Sequence, residues 1–193
     1  LLATENYRNQ VVVLTPVDQM EEIPEVSDLP KVAVVAKVKS KLELPNGNLR
    51  VTLRGMFRVQ CTQFQNHEKY PAILECKYQK LAIPPFNEVE ALAVRRKLSS
   101  LMEMYVSNGQ GISNSIIGVM KDAKDLNKFT DVIAAFLPIS FFKRLSYIEE
   151  INPVLRGKGL MEELKVIENE LVPVYETSTG EKVVYGSAKK NLF

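Results

Sequence analysis

Residues 32–59 read VAVVAKVKSKLELPNGNLRVTLRGMFRV, and this stretch decides the fold. Two runs rich in β-branched residues, 32–44 and 49–64, flank Pro45-Asn46-Gly47-Asn48. Asn-Gly supplies the positive φ angles of a tight turn, so a long β-hairpin is predicted here. In the second run Val51, Leu53, Phe57, Val59 and Cys61 alternate with Thr52, Arg54, Arg58 and Gln60, which predicts one buried and one wet face. Gly55 interrupts the alternation. A lone glycine in a strand marks a bulge or a close backbone approach, and a bulge bends a long hairpin into a barrel-like wall.

Working outward, VVVLTP at 11–16 is a short strand, and 17–30, with its acidic residues and prolines, is a long polar loop. On the other side a turn at 66–69 returns the chain as AILECKYQKLAI, 72–83. That turn sets Cys61 roughly opposite Cys76. A pairing is geometrically possible, but two ordinary half-buried thiols are the favoured reading.

After Pro84-Pro85 the apolar period changes from two to that of a helix. Asn87 and Glu90 resemble a capping box, and Leu92, Leu98, Leu101 and Tyr105 form a stripe ending at Asn108-Gly109. A second helix spans Ile112 to Ala123. A third presents Leu126, Phe129, Ile133, Phe136 and Leu137 and stops at Pro138. Ser140 caps a fourth through Glu150, and a fifth runs from about Pro153 to Leu171, weakened by Gly157 and Gly159. The tail, VPVYET at 172–177 and EKVVYG at 181–186, is another β-hairpin that needs a sheet to join. The expected class is α+β.

In 193 residues, 46% are hydrophobic and 25% charged, which excludes disordered, collagen-like and coiled-coil chains. No apolar run approaches the length of a membrane span. Twenty-five basic against twenty-three acidic residues leave +2, interspersed, so neither nucleic acid nor an anionic membrane is indicated as a partner. Two cysteines and no leader pattern before the first strand point to a reducing compartment, the cytoplasm.

Chemistry is sparse. One histidine, His67, lies in a predicted turn, and no metal-ligand spacing, P-loop or G-x-S-x-G motif occurs. No catalytic residue, cofactor or metal is therefore expected. The pairs Glu21-Glu22, Glu149-Glu150 and Glu162-Glu163 are read as solvated faces rather than acid–base partners. Phe141-Phe142 is read first as core. Met20 and Ile23, large and apolar in a polar loop, are the better candidates for an adaptable contact surface, with Phe141 and Phe142 beside them.

Residues 32–59 also resemble the signature hairpin of the N-terminal, substrate-binding domain of ATP-dependent Lon proteases: a V-G-T-V-A strand, an L-P-[DN]-G-T turn and a V-x-V-E-G-L-x-R-V strand. The matches are Val32, Val35, Ala36, Leu44, Pro45, Asn46, Gly47, Val51, Gly55, Arg58 and Val59; Ala33 replaces the family glycine and Arg54 the glutamate. DVIAAFLPIS at 131–140 is similar to the family's D-x-I-A-A-x-L-P-[LI] segment, and Ile148-Glu149-Glu150 to its L-L-E helix end.

The resemblance implies a bent PUA-like β-barrel subdomain, 172–193 plus 1–86, packed beside a helical subdomain, 87–171. The order is rotated relative to the family, with one helix running from Ser187 through Phe193 and Leu1 to about Asn6. Pro45, Asn46, Gly47, Gly55 and Pro138 are structural motif positions. The chain itself is then no enzyme. It is implied to be the substrate-recognition and assembly domain of an ATP-dependent serine protease, with unfolded, damaged or degron-bearing polypeptides and the other subunits of a homo-oligomer, a hexamer in the parent, as partners. A freestanding interaction module of this fold is the alternative. An RNA-binding PUA-like module is less favoured, since it needs a one-sided basic stripe with stacking aromatics.

Overall fold

The computed structural model describes residues 9–15, 25–69, 73–107, 115–170, 174–176 and 182–184. Strands β1 (Gln10–Val13), β2 (Val32–Glu43), β3 (Leu49–Asn66) and β4 (Leu74–Lys80) form one antiparallel sheet in that order. The turn between β2 and β3 is the predicted one. Gly47 takes φ +80°, its N–H donates to the Leu44 carbonyl at 2.9 Å, and the Leu44 N–H donates to the Asn48 carbonyl at 2.8 Å. The Asn46 side-chain oxygen accepts from the Asn48 N–H at 3.1 Å. This is a turn closed by one left-handed glycine, the short hairpin connection that Pro-Asn-Gly favours.

Helices α1 (Glu88–Ser107), α2 (Ser115–Asp122), α3 (Leu126–Phe136), α4 (Phe141–Glu149) and α5 (Pro153–Glu170) follow, and β5 (Val174–Glu176) pairs with β6 (Lys182–Val184) as a two-stranded sheet. The mixed α+β class expected from the sequence is observed. The helix joining Ser187 to Leu1 lies outside the described residues.

The chain divides into two compact units. The first holds β1–β4 together with α4, although α4 lies within the sequence segment assigned to the helical half; the second holds the other helices and the β5–β6 hairpin. In the first unit Ala33, Val35, Val59 and Cys61 are buried on one face of the sheet, with Val12, Leu14, Phe57, Phe64 and Cys76 packed against them. Ala36 and Val38 are buried on the other face, and β2 is the strand that α4 packs against. The Arg58 guanidinium, on that same face, donates to the carbonyls of Ile148 at 2.7 Å and Tyr147 at 3.2 Å. It thereby satisfies carbonyls at the C-terminal end of α4 that have no partner within the helix.

In the second unit, side chains close the helix starts. The Asn87 side chain accepts from the N–H groups of Val89 and Glu90, Asp125 accepts from Lys128, and Asn152 accepts from Val154 and Leu155. The expected capping box is only half made, because the Glu90 carboxylate pairs with Lys158 at 2.6 Å. The buried stripe of α1 is Ala91, Val94, Leu98, Leu101, Met102, Tyr105 and Val106, and Leu92 is exposed, contrary to expectation. Phe136 on α3 likewise faces solvent. The reason on α1 is the crossing with α5: Gly157 lets that helix in so closely that a Cβ there would collide with Val94 and touch Leu98. Buried Arg156 bridges α5 to α3, donating to the Thr130 hydroxyl at 3.0 Å and to both the carbonyl and the side chain of Asn127.

Candidate functional site

The distal half of the β2–β3 hairpin departs from the sequence expectation. Val35 pairs with Phe57 and Ala36 with Gly55, so Met56 is an extra residue and a bulge sits where Gly55 predicted one. The alternative role for Gly55, a close approach, is not what the geometry displays: a Cβ there would make only an ordinary contact with Val34 at 3.5 Å. An extra residue reverses strand parity. Val51 and Leu53, expected on the buried face with Phe57, Val59 and Cys61, therefore lie on the opposite one.

On that face Leu49, Val51 and Leu53 follow one another at alternate positions, opposite Glu43, Lys41 and Val38 of β2. Lys39 is a second extra residue, between the pairs formed by Val38 and Ser40. The three apolar side chains are 38%, 39% and 42% exposed, whereas Val38 beside them is 8% exposed. This is the face to which α4 is joined through Arg58. Where the helix covers β2 the sheet is buried, and farther along the hairpin the apolar side chains meet water. Three large apolar side chains in a row on one strand face, partly uncovered, make this face the candidate contact surface.

Among the described residues β1 pairs only with Val34–Lys37 of β2, and β4 only with Val59–Asn66 of β3. Among the described residues the distal hairpin pairs with no third strand and is a two-stranded ribbon, a geometry able to accept an added strand. Its charge is one-sided. Beyond the part paired with β1, Lys39, Lys41, Arg50 and Arg54 stand against the single acid Glu43. Sequence reasoning missed the stripe because it read residues 51–61 as one face; Gly55 was the signal that could have revealed it.

Of the contact residues expected from the sequence, Met20 and Ile23 lie outside the described residues. Phe141 and Phe142 open α4, with ring centroids 5.5 Å apart in an edge-on arrangement. Phe142 is 65% exposed, so for that ring the reading as core is corrected. A residue in the first turn of a short helix has no preceding turn to pack on. Pro45, Asn46 and Gly47 form the hairpin turn, and Pro138 follows the end of α3, whose C-cap Leu137 is extended. His67 accepts the Lys69 N–H at Nδ1, 3.0 Å, and so braces the turn into β4.

Among the described residues no group of three or more His, Cys, Asp or Glu could hold a metal ion, and no helix is long and apolar enough to cross a membrane. Among the described residues two groups hold their protons more tightly than usual. Burial, with the neighbouring Cys76, pushes the Cys61 thiol up to about 12, and burial raises the Tyr105 phenol. Both changes favour the neutral form.

The fold is shared with solved Lon N-terminal domains. It superposes on the N-terminal domain of Mycobacterium avium complex Lon protease with a TM-score of 0.61 at 16% identity, covering 80% of this chain and 90% of that one. It superposes on the Lon N-terminal domain protein from Xanthomonas campestris with a TM-score of 0.52 at 14% identity, covering 83% and 79%. The family model of the ATP-dependent protease La (LON) substrate-binding domain matches residues 1–166, and the chain belongs to that family. It is 28% identical over 162 residues to a Lon protease of Brevibacillus choshinensis and 27% identical over 165 residues to one of Rhizobium meliloti (strain 1021), covering 84% and 83% of this chain. The chain spans about 20% of the length of those relatives.

Proposed function

We propose that this chain is the substrate-recognition and assembly domain of a cytoplasmic ATP-dependent serine protease. In this reading it takes up unfolded or degron-bearing polypeptides on the exposed hairpin face formed by Leu49, Val51 and Leu53. The observation that supports the reading best is the exposed apolar stripe on a two-stranded ribbon, in a chain of the LON substrate-binding family. An unfolded polypeptide offers apolar side chains at alternate positions of an extended backbone, and both its side chains and its amides find counterparts there. The four basic residues of the ribbon favour apolar segments flanked by acids. Phe141, Phe142, Met20 and Ile23 remain further contact candidates on sequence grounds, and other copies of the chain are partners in assembly.

The test is a fluorescence anisotropy titration with labelled α-lactalbumin, once native and once reduced and alkylated. The unfolded form should bind and the native form should not. Equal binding of both forms, or tighter binding of a labelled single-stranded RNA of similar length, would overturn the reading.

A further inference from the structure

Cys61 on β3 and Cys76 on β4 are the two cysteines of the chain, and their sulfur atoms lie 3.5 Å apart. The register accounts for the contact. Cys61 is opposite Tyr78, Cys76 is opposite Phe64, and Gln63, at φ 50°, is the extra residue of a bulge between them. Alternation along β4 puts Tyr78 and Cys76 on one face, the face that holds Cys61 with Ala33, Val35 and Val59. The two thiols differ in access: Cys61 is buried and Cys76 is half-buried.

We propose that Cys61 and Cys76 form a thiol–disulfide exchange site, whose reactant is a low-molecular-weight disulfide and whose product is a cross-strand bond fastening the edge strand β4 to β3. Cys76, the accessible thiol, loses its proton to solvent and its thiolate attacks one sulfur of the small disulfide. The other half leaves as a thiolate and is protonated. Cys61 then gives up its proton and attacks the Cys76 sulfur, expelling the second half as a thiol. In sum, two protein thiols and one small disulfide become one protein disulfide and two small thiols; the protein sulfurs lose two electrons and the small disulfide gains them.

The order of attack follows from the surroundings. A buried thiol beside a second sulfur holds its proton tightly and is a poor first nucleophile, but it is placed to displace a leaving group from its neighbour. Closure needs the sulfurs to approach from 3.5 Å to the covalent distance of about 2.05 Å. The bond would cross the ladder at the bulge, where backbone pairing is interrupted. This site lies on the core face of the sheet and does not depend on polypeptide binding at the hairpin.

The experiment incubates the whole chain with oxidised glutathione, quenches with acid, alkylates under denaturing conditions and reads intact mass and peptide map. The expected product is lighter by two hydrogens, unalkylated, with the peptides containing Cys61 and Cys76 joined, and it reverts with excess reduced glutathione. Cys61→Ser should stop at a stable glutathione adduct on Cys76, and Cys76→Ser should stay largely unmodified over the same time. In the oxidised chain the amides of β4 should exchange several-fold more slowly. The proposal is overturned if the unsubstituted chain keeps both cysteines alkylatable, accumulates a stable adduct at Cys76, joins two copies through sulfur, or if Cys76→Ser reacts at Cys61 as fast as the unsubstituted chain. The decisive readings come from the unsubstituted chain, so a variant that fails to fold leaves the test intact.

Discussion

The guanidinium of Arg58 and the carbonyl of Ile148 meet at 2.7 Å across 90 residues of sequence. Through this contact the third strand holds the end of the fourth helix, and the helix in turn belongs with the sheet rather than with its neighbours in sequence. Both partners fall in segments that resemble the family's motifs, which gives those motifs a physical meaning: one supplies a planar donor and the other a helix end with open carbonyls.

Arg58→Ala should therefore destabilise the first unit by about 2–3 kcal/mol, the range for hydrogen bonds from a charged donor. Arg58→Lys should recover part of the loss, because an ammonium cannot serve both carbonyls with the fork of a guanidinium. Urea denaturation read by circular dichroism checks both. A loss under about 0.5 kcal/mol for the alanine variant would remove Arg58 from the framework.

The crossing of α1 and α5 makes a second prediction. Gly157→Ala, ordinarily helpful in a helix, should cost about 1–3 kcal/mol, since the new methyl group collides with Val94. Combining it with Val94→Ala should restore much of the loss, and a double-mutant cycle measures the coupling. Additive effects would place the collision elsewhere.

Buried Arg156 is held by neutral oxygens of Thr130 and Asn127 and by Asp131 at 3.4 Å. Arg156→Ala removes the donor and empties the space of a fully buried side chain, at a cost of about 3–5 kcal/mol. Thr130→Val removes only one acceptor and should cost about 1–2 kcal/mol. Thermal melts of the two variants should rank in that order.

Cys61 sets a pH dependence. Its thiol titrates near 9 when unfolded and at about 12 in the fold, so the native state keeps a proton that the unfolded state gives up. The stability tied to this group is fully present below about pH 9 and is lost as pH rises from there toward 12. Under reducing conditions the urea midpoint should fall between about pH 8 and about pH 10 more steeply for the natural chain than for Cys61→Val, which isolates this group from the lysines and tyrosines that also titrate. Identical slopes would contradict it.

Much of this was legible in sequence because single residues dictate it. Asn46-Gly47 sets the hairpin, Pro138 closes α3, and Asn87 starts α1 where the apolar period changes. Gly55 announced a bulge. What it could not announce was which residue becomes the extra one; that is decided by pairing with Ala36 across the sheet, and it moved Val51 and Leu53 from the expected buried face to the exposed one. Leu92 was misplaced for a similar reason, since the buried stripe of α1 is fixed by a glycine on another helix, Gly157. The role of Arg58 required knowing where Ile148 ends up, which no local pattern contains.

The central claim is that the exposed face of the hairpin takes up unfolded polypeptide. Its most direct test is an anisotropy titration of labelled, reduced and alkylated α-lactalbumin with the natural chain and with a variant carrying Leu49→Thr, Val51→Thr and Leu53→Thr, in which three β-branched residues suited to a strand replace the apolar stripe. The account predicts affinity lowered by about tenfold or more, equivalent to about 1.4 kcal/mol, with the circular dichroism spectrum unchanged. Unchanged affinity in a variant with the natural spectrum would contradict it.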